Sequence, residues 1–163
     1  MKRTIPITIV LVIIISLIAV WFWYTSPSRQ IEKTLETMAE LGSAPTGESS
    51  IAKALKSQSL SKYFSEAAFI DWPGDEVIPA GRWAGREQIT QQVLAAKSSA
   101  SYQVSISDLL IEAPRRTIVG AAEFTLVVRE GVNTWAWLAQ VQLSKNGQQW
   151  LVNQLVFEPI LKR

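Results

Sequence analysis

The chain contains no histidine and no cysteine, but it has seven tryptophans. Without imidazole or thiol, Ser–His and Cys–His nucleophile systems and Cys/His zinc sites are excluded. The usual side-chain switch near neutral pH is missing as well. Carboxylates and indoles are what remain. Asp71 is the sharpest of them, placed in Phe69-Ile70-Asp71-Trp72-Pro73-Gly74 at the end of an apolar run and just before a turn. The plain role of a carboxylate there is to end a strand and bond turn amides. Glu123 and Asp108 fall inside strand-like patterns that turn them to solvent. Asp75 and Glu76 follow Asp71 closely, but neighbouring carboxylates in a turn make a poor cation cage. No metal and no cofactor is expected. Trp72, Trp83, Trp135, Trp137 and Trp150 are a heavy aromatic load. They fill a core, line an apolar pocket or form a partner-facing surface. Trp135 and Trp137 share a face if their segment is a strand.

The elements that must position these residues divide into two halves. Ser26-Pro27-Ser28 is a helix start, and Ile31, Leu35, Met38 and Leu41 follow it at helical spacing up to Gly42. The segment 42–50 reads as a loop. A second helical stretch begins near Ser50 with Ile51, Ala54 and Leu55, and a short further turn covers 59–64. Residues 67–72 form a short strand, Pro73-Gly74-Asp75 a turn, and 77–83 an irregular or extended segment. Gly85 opens another helix with Ile89, Gln92, Val93 and Ala96 along one side. Period-two alternation then takes over. Strands are expected over 102–112, 116–129, 134–144 and 149–157, with turns between them and a hairpin signal at Asn146-Gly147. Helices followed by a meander define an α+β class with an antiparallel sheet.

The first residues differ in kind from the rest. Ile5 to Tyr24 is a twenty-residue stretch without a charge, long enough at about 1.5 Å per residue to cross a bilayer core of about 30 Å. Thirteen of its residues are Ile, Val, Leu or Phe, favouring insertion by about 4 to 8 kcal/mol as an upper bound. Lys2 and Arg3 precede it and Trp21-Phe22-Trp23-Tyr24 close it, as expected at an interface. The expected layout is a cytoplasmic tip over 1–4, a transmembrane helix over 5–24 and a domain over 25–163 outside the cytoplasm. That makes a single-pass signal-anchor protein of the cell (inner) membrane with a periplasmic or extracellular domain. A cleaved signal peptide has a shorter apolar region and small residues at its cleavage site, which this stretch does not offer. Of 16 basic and 14 acidic residues, Lys2 and Arg3 account for the net charge of +2. The domain is therefore neutral and has no electrostatic footprint for nucleic acid.

The order of elements, with Tyr63-Phe64-Ser65-Glu66-Ala67-Ala68 before a short strand and Gly85-Arg86-Glu87-Gln88-Ile89 opening a helix, resembles the nuclear transport factor 2-like superfamily. That superfamily includes the SnoaL-like cyclases and ketosteroid isomerases. The likeness covers roughly 26–159. It implies a curved sheet wrapped around helices as a cone, often with an apolar pocket. Asp71 falls where the isomerases keep an aspartate general base, and a carboxylate inside an apolar cone would have a raised pKa. The isomerases also need a tyrosine on the first helix, which 29–41 lacks.

Two functional expectations follow. The first is a membrane-tethered, non-catalytic interaction or scaffold domain with a membrane-protein partner or a second copy of itself. The second is a small-apolar-ligand binder or isomerase- or cyclase-like enzyme. It would use Asp71 as base, with Trp72, Trp83, Glu123, Trp135 and Trp137 lining the pocket.

Overall fold

The computed structural model describes residues 12–17, 20, 25–74, 79–114 and 117–160. Residues 12–17 are helical. No helix among the described residues is long and apolar enough to cross a membrane; most of the stretch 5–24 lies outside them.

Helix α1 spans Pro27–Gly42. Ser26 is its N-cap, and its hydroxyl accepts from the Arg29 amide at 3.4 Å, satisfying one of the amides a helix start leaves free. Ile31, Leu35 and Met38 recur at three- and four-residue spacing, so one stripe of α1 is buried. Helix α2, Ser50–Ser61, starts the same way on Ser49. It takes in 59–61, the first part of the expected separate turn, and only 62–63 form a turn before the next strand. Strand β1 is Phe64–Trp72 and β2 is Gly81–Ala84, the latter a regular strand within the segment expected to be irregular or extended. Helix α3, Arg86–Ser99, opens at Gly85. The last four strands are β3 Gln103–Glu112, β4 Val119–Glu130, β5 Asn133–Asn146 and β6 Gln149–Pro159.

All six strands make one sheet in the order β2-β1-β6-β5-β4-β3. The expected antiparallel sheet is corrected to a mixed one, because β1 lies parallel to β6. The physical reason is topological. The chain enters β1 from the helices and returns to its flank only after the whole meander, so no hairpin joins the two strands. The join is tied by the Val152 amide donating to the Tyr63 carbonyl at 2.7 Å.

Alternation along the strands turns Phe124, Ala139, Val141, Leu143 and Val152 toward the helices. The β5–β6 register shift between Gln142 and Leu143 brings Leu155 to the same face, and together they meet Ile31, Leu35, Leu60 and Ile89 in one core. Strand β3 changes face midway. Asp108 has a φ of 53°, and the register to β4 shifts between Ser107 and Leu110. This bulge lets Ile106, Leu109 and Ile111 all pack on the core, while Leu110 is turned out.

Candidate functional site

The mouth of the cone contains a cavity of about 200 Å³. Leu35 and Met38 of α1, Leu60 of α2 and Val93 of α3 wall one side, and Ile70, Phe124 and Phe157 of the sheet wall the other. Its polar side chains among the described residues are Trp72, Trp83, Gln92 and Tyr102. Among the described residues no carboxylate, lysine or arginine lines it. Burial pushes the Tyr102 hydroxyl up to about 12, so it stays protonated throughout the neutral range.

Strand geometry explains which candidates reach this cavity. Neighbouring side chains of β1 point to opposite faces. Trp72 lines the cavity, and its rings pack against Trp83 at 6.1 Å in a stacked arrangement, against Trp137 at 5.0 Å and edge-on to Phe157 at 5.2 Å. The sequence candidates Trp72, Trp83 and Trp137 therefore meet in one aromatic cluster. Trp137 is buried behind Trp72, and Trp135, two residues nearer the β4–β5 turn, is 37% exposed; neither belongs to the cavity lining.

Asp71 is absent from the lining. Its two oxygens accept from Arg82 Nε at 2.6 Å and from a second Arg82 nitrogen at 2.7 Å, on the paired residue of β2. The Arg82 guanidinium also sits 4.3 Å from the centre of the Phe69 ring. The hydrogen bond from Arg82 holds the Asp71 carboxyl below its ordinary value, with slight desolvation opposing. The raised pKa expected of a carboxylate within an apolar cone is thus reversed by a partly exposed ion pair. Glu123 is also apart from the cavity and lines a separate surface hollow, accepting from Gln140 at 3.3 Å across the β4–β5 pair.

One feature of the wall was not legible beforehand. The indole nitrogen of Trp72 is buried and has no hydrogen-bond partner among the described residues. An unpaired buried donor costs about 1–3 kcal/mol, and most are satisfied in folded proteins. Tyr102, Gln92 and Val93 were also not read as pocket residues. The signals for them were present, since Tyr102 opens the inward alternation of β3 and Gln92, Val93 and Ala96 share one side of α3.

A second polar cluster lies under the loop between α1 and α2. Lys97 is 0% exposed, and its Nζ donates to the Leu41 carbonyl in the last turn of α1. Lys53 Nζ donates to the Lys97 carbonyl at 2.6 Å, and Lys56 pairs with Glu48 at 2.6 Å. Burial, reinforced by Lys56 and Lys53 and opposed by Glu48, brings Lys97 down to about 8.

No known protein family matches the sequence and no curated protein does. Solved structures do match. An NTF2-like protein of unknown function from Pseudomonas putida KT2440 superposes with a TM-score of 0.62 at 11% identity, over 80% of this chain and 84% of that one. An NTF2-like protein with a cystatin-like fold from Novosphingobium aromaticivorans gives 0.61 at 10% identity, over 82% of each chain. A protein of unknown function with a cystatin-like fold from Nostoc punctiforme gives 0.59 at 14% identity, over 81% and 91%. The α+β domain therefore has the NTF2-like fold. At these identities the likeness is one of fold alone, and the site carries the rest of the argument.

Proposed function

We propose that the protein is a membrane-tethered, non-catalytic binding protein whose cone takes a small apolar ligand. The observation that carries this reading is the cavity of about 200 Å³, whose described lining holds no side chain able to act as a general base at neutral pH. Apolar walls with a few polar groups are the usual composition of a small-molecule site. Asp71, the base that the resemblance suggests, is engaged by Arg82 outside the cavity. The tether, read from 5–24, fits a ligand that partitions into lipid, because it holds the cone where such a ligand is concentrated.

The test uses the full chain in lipid nanodiscs with indane as the probe, followed through the indole N–H resonances. Indane is expected to shift the Trp72 and Trp83 signals in the wild type and in Asp71→Asn, and to leave them unshifted in Val93→Trp, which fills the cavity. Absence of any shift in the wild type, or an equal shift in Val93→Trp, overturns the reading.

A second reading, a scaffold for a membrane partner or a second copy, has one observation in its favour. The outer face of the sheet carries Gln140 and Leu110, both exposed, the latter 66% exposed where the β3 bulge turns it out.

A further inference from the structure

We infer that Trp72 selects the ligand, and that the ligand is a neutral apolar molecule carrying one hydrogen-bond acceptor, such as a carbonyl or ether oxygen, that accepts from the indole nitrogen. This deepens the binding reading above and rests on it.

Two independent observations meet at Trp72. Its side chain belongs to the wall of the apolar cavity, and its nitrogen is a buried donor with no partner among the described residues. Three rings hold the indole in place, with Trp83, Trp137 and Phe157 at 6.1, 5.0 and 5.2 Å. An indole packed on this many sides cannot turn its N–H to solvent without breaking those contacts, so the donor is fixed. Water is a poor partner here, because a buried water needs two to four polar groups around it and the nearby wall is chiefly hydrocarbon and ring. A ligand oxygen needs only the one donor while its remaining surface meets the apolar wall.

The same wall states what is excluded. A carboxylate ligand would be desolvated with no described arginine or lysine on the lining to pair with it. An ammonium would find no described carboxylate on the lining. A pure hydrocarbon would fit the walls and leave the indole donor unpaired. Discrimination that rests on such an unpaired polar group is larger than discrimination by size alone.

The test compares 1-indanone with indane, which differ by one carbonyl. Each is titrated into full-length protein in nanodiscs, for the wild type and for Trp72→Phe, which keeps an aromatic ring and removes the donor. The quantity read is the ratio of the two dissociation constants in each protein. Partitioning of the probes into lipid cancels between the proteins because the discs are the same. The preference for 1-indanone over indane is expected to fall about tenfold in Trp72→Phe, the equivalent of about 1.4 kcal/mol.

A measurement on the wild type alone covers the case in which Trp72→Phe fails to fold. Both probes are expected to shift the Trp72 indole proton on binding, but only 1-indanone is expected to move it downfield, as a hydrogen bond forms. If both probes bind and the ratio is the same in the two proteins, or if the two probes shift the indole proton alike, the inference about Trp72 is overturned while the cavity reading stands. If neither probe binds the wild type, the cavity reading itself falls, and the inference with it.

Discussion

Lys97 and Tyr102 are the two described groups whose folded environment moves titration far from its ordinary range, and they push stability in opposite directions. Lys97 titrates at about 8 in the folded chain against an ordinary 10.5. Between those values the unfolded chain holds a proton that the folded chain has released, so stability rises with pH across that window. Tyr102 titrates at about 12 against an ordinary 10.0. Between those values the folded chain keeps a proton that the unfolded chain has lost, so stability falls. The contributions of these two groups therefore rise with pH up to about 10 and fall beyond it. Urea midpoints of the full chain in nanodiscs, taken from pH 7 to 12, check this. Lys97→Met is expected to be less stable overall, because the Leu41 carbonyl loses its donor, yet to lack the rising limb. Tyr102→Phe is expected to lack the falling limb. A rising limb that persists in Lys97→Met would rule out the assignment to that residue. The surface pair of Asp71 and Arg82 adds no pH dependence in this range. The lowered Asp71 value makes its contribution present above the ordinary carboxylate range and lost only in strong acid, and its exposure keeps it small.

At the scale of elements, the close approach of α1 to β4 depends on Gly120. A Cβ built there would lie 2.6 Å from Ile31 Cδ1 and 3.4 Å from the Trp150 ring. Both of those side chains are almost fully buried, and the Trp150 indole is held by the Gln30 side chain at 3.2 Å. Gly120→Ala is therefore expected to destabilise the protein by about 1–3 kcal/mol through overpacking. Ile31→Val in the same chain is expected to restore part of the loss, since it removes the methyl that would clash. Urea unfolding of the two variants checks the coupling. Much of this layer was legible in the sequence. The helix α1 stripe, the Ser26 cap, the opening of α3 at Gly85 and the four last strands follow from spacing and turn residues alone. The bulge in β3 was not among these, because Leu109 and Leu110 are both apolar and only the pairing with β4 shows which one turns inward. What was not legible is set by contacts distant in sequence. The parallel pairing of β1 with β6 has no local signature. The outward turn of Asp71 depends on the register that sets it opposite Arg82. For the same reason the Trp72, Trp83 and Trp137 cluster could be named as candidates but not joined, and the unpaired indole nitrogen could not be foreseen.

At the scale of the whole molecule, the distance between the apolar stretch and the cone constrains where the cone can work. Helix α1 begins at Pro27, three residues beyond Tyr24. Fully extended chain reaches at most about 3.6 Å per residue, so the start of α1 is held within about 11 Å of the end of the stretch 5–24. Strand directions then orient the rest. Gly120, near the start of β4, meets Ile31 in the first turns of α1, whereas Trp72 ends β1 and pairs toward the opposite end of the sheet. On the tether reading, the start of α1 faces the bilayer and the Trp72 end of the cone points away from it. The chain has no cysteine, so single introduced thiols report this arrangement cleanly. Leu110→Cys in the full chain is expected to react with a membrane-impermeant maleimide added from outside the cytoplasm, and the protein is expected to float with membranes after alkaline washing. Deleting 1–24 is expected to abolish flotation. Flotation without the apolar stretch, or thiol labelling only after the membrane is breached, would overturn the tether and its orientation respectively. The same variant separates the two functional readings. Oxidation that joins two copies through residue 110 in the membrane favours the outer sheet face as a contact between copies. A thiol that stays single while indane still reaches the indoles favours the cone.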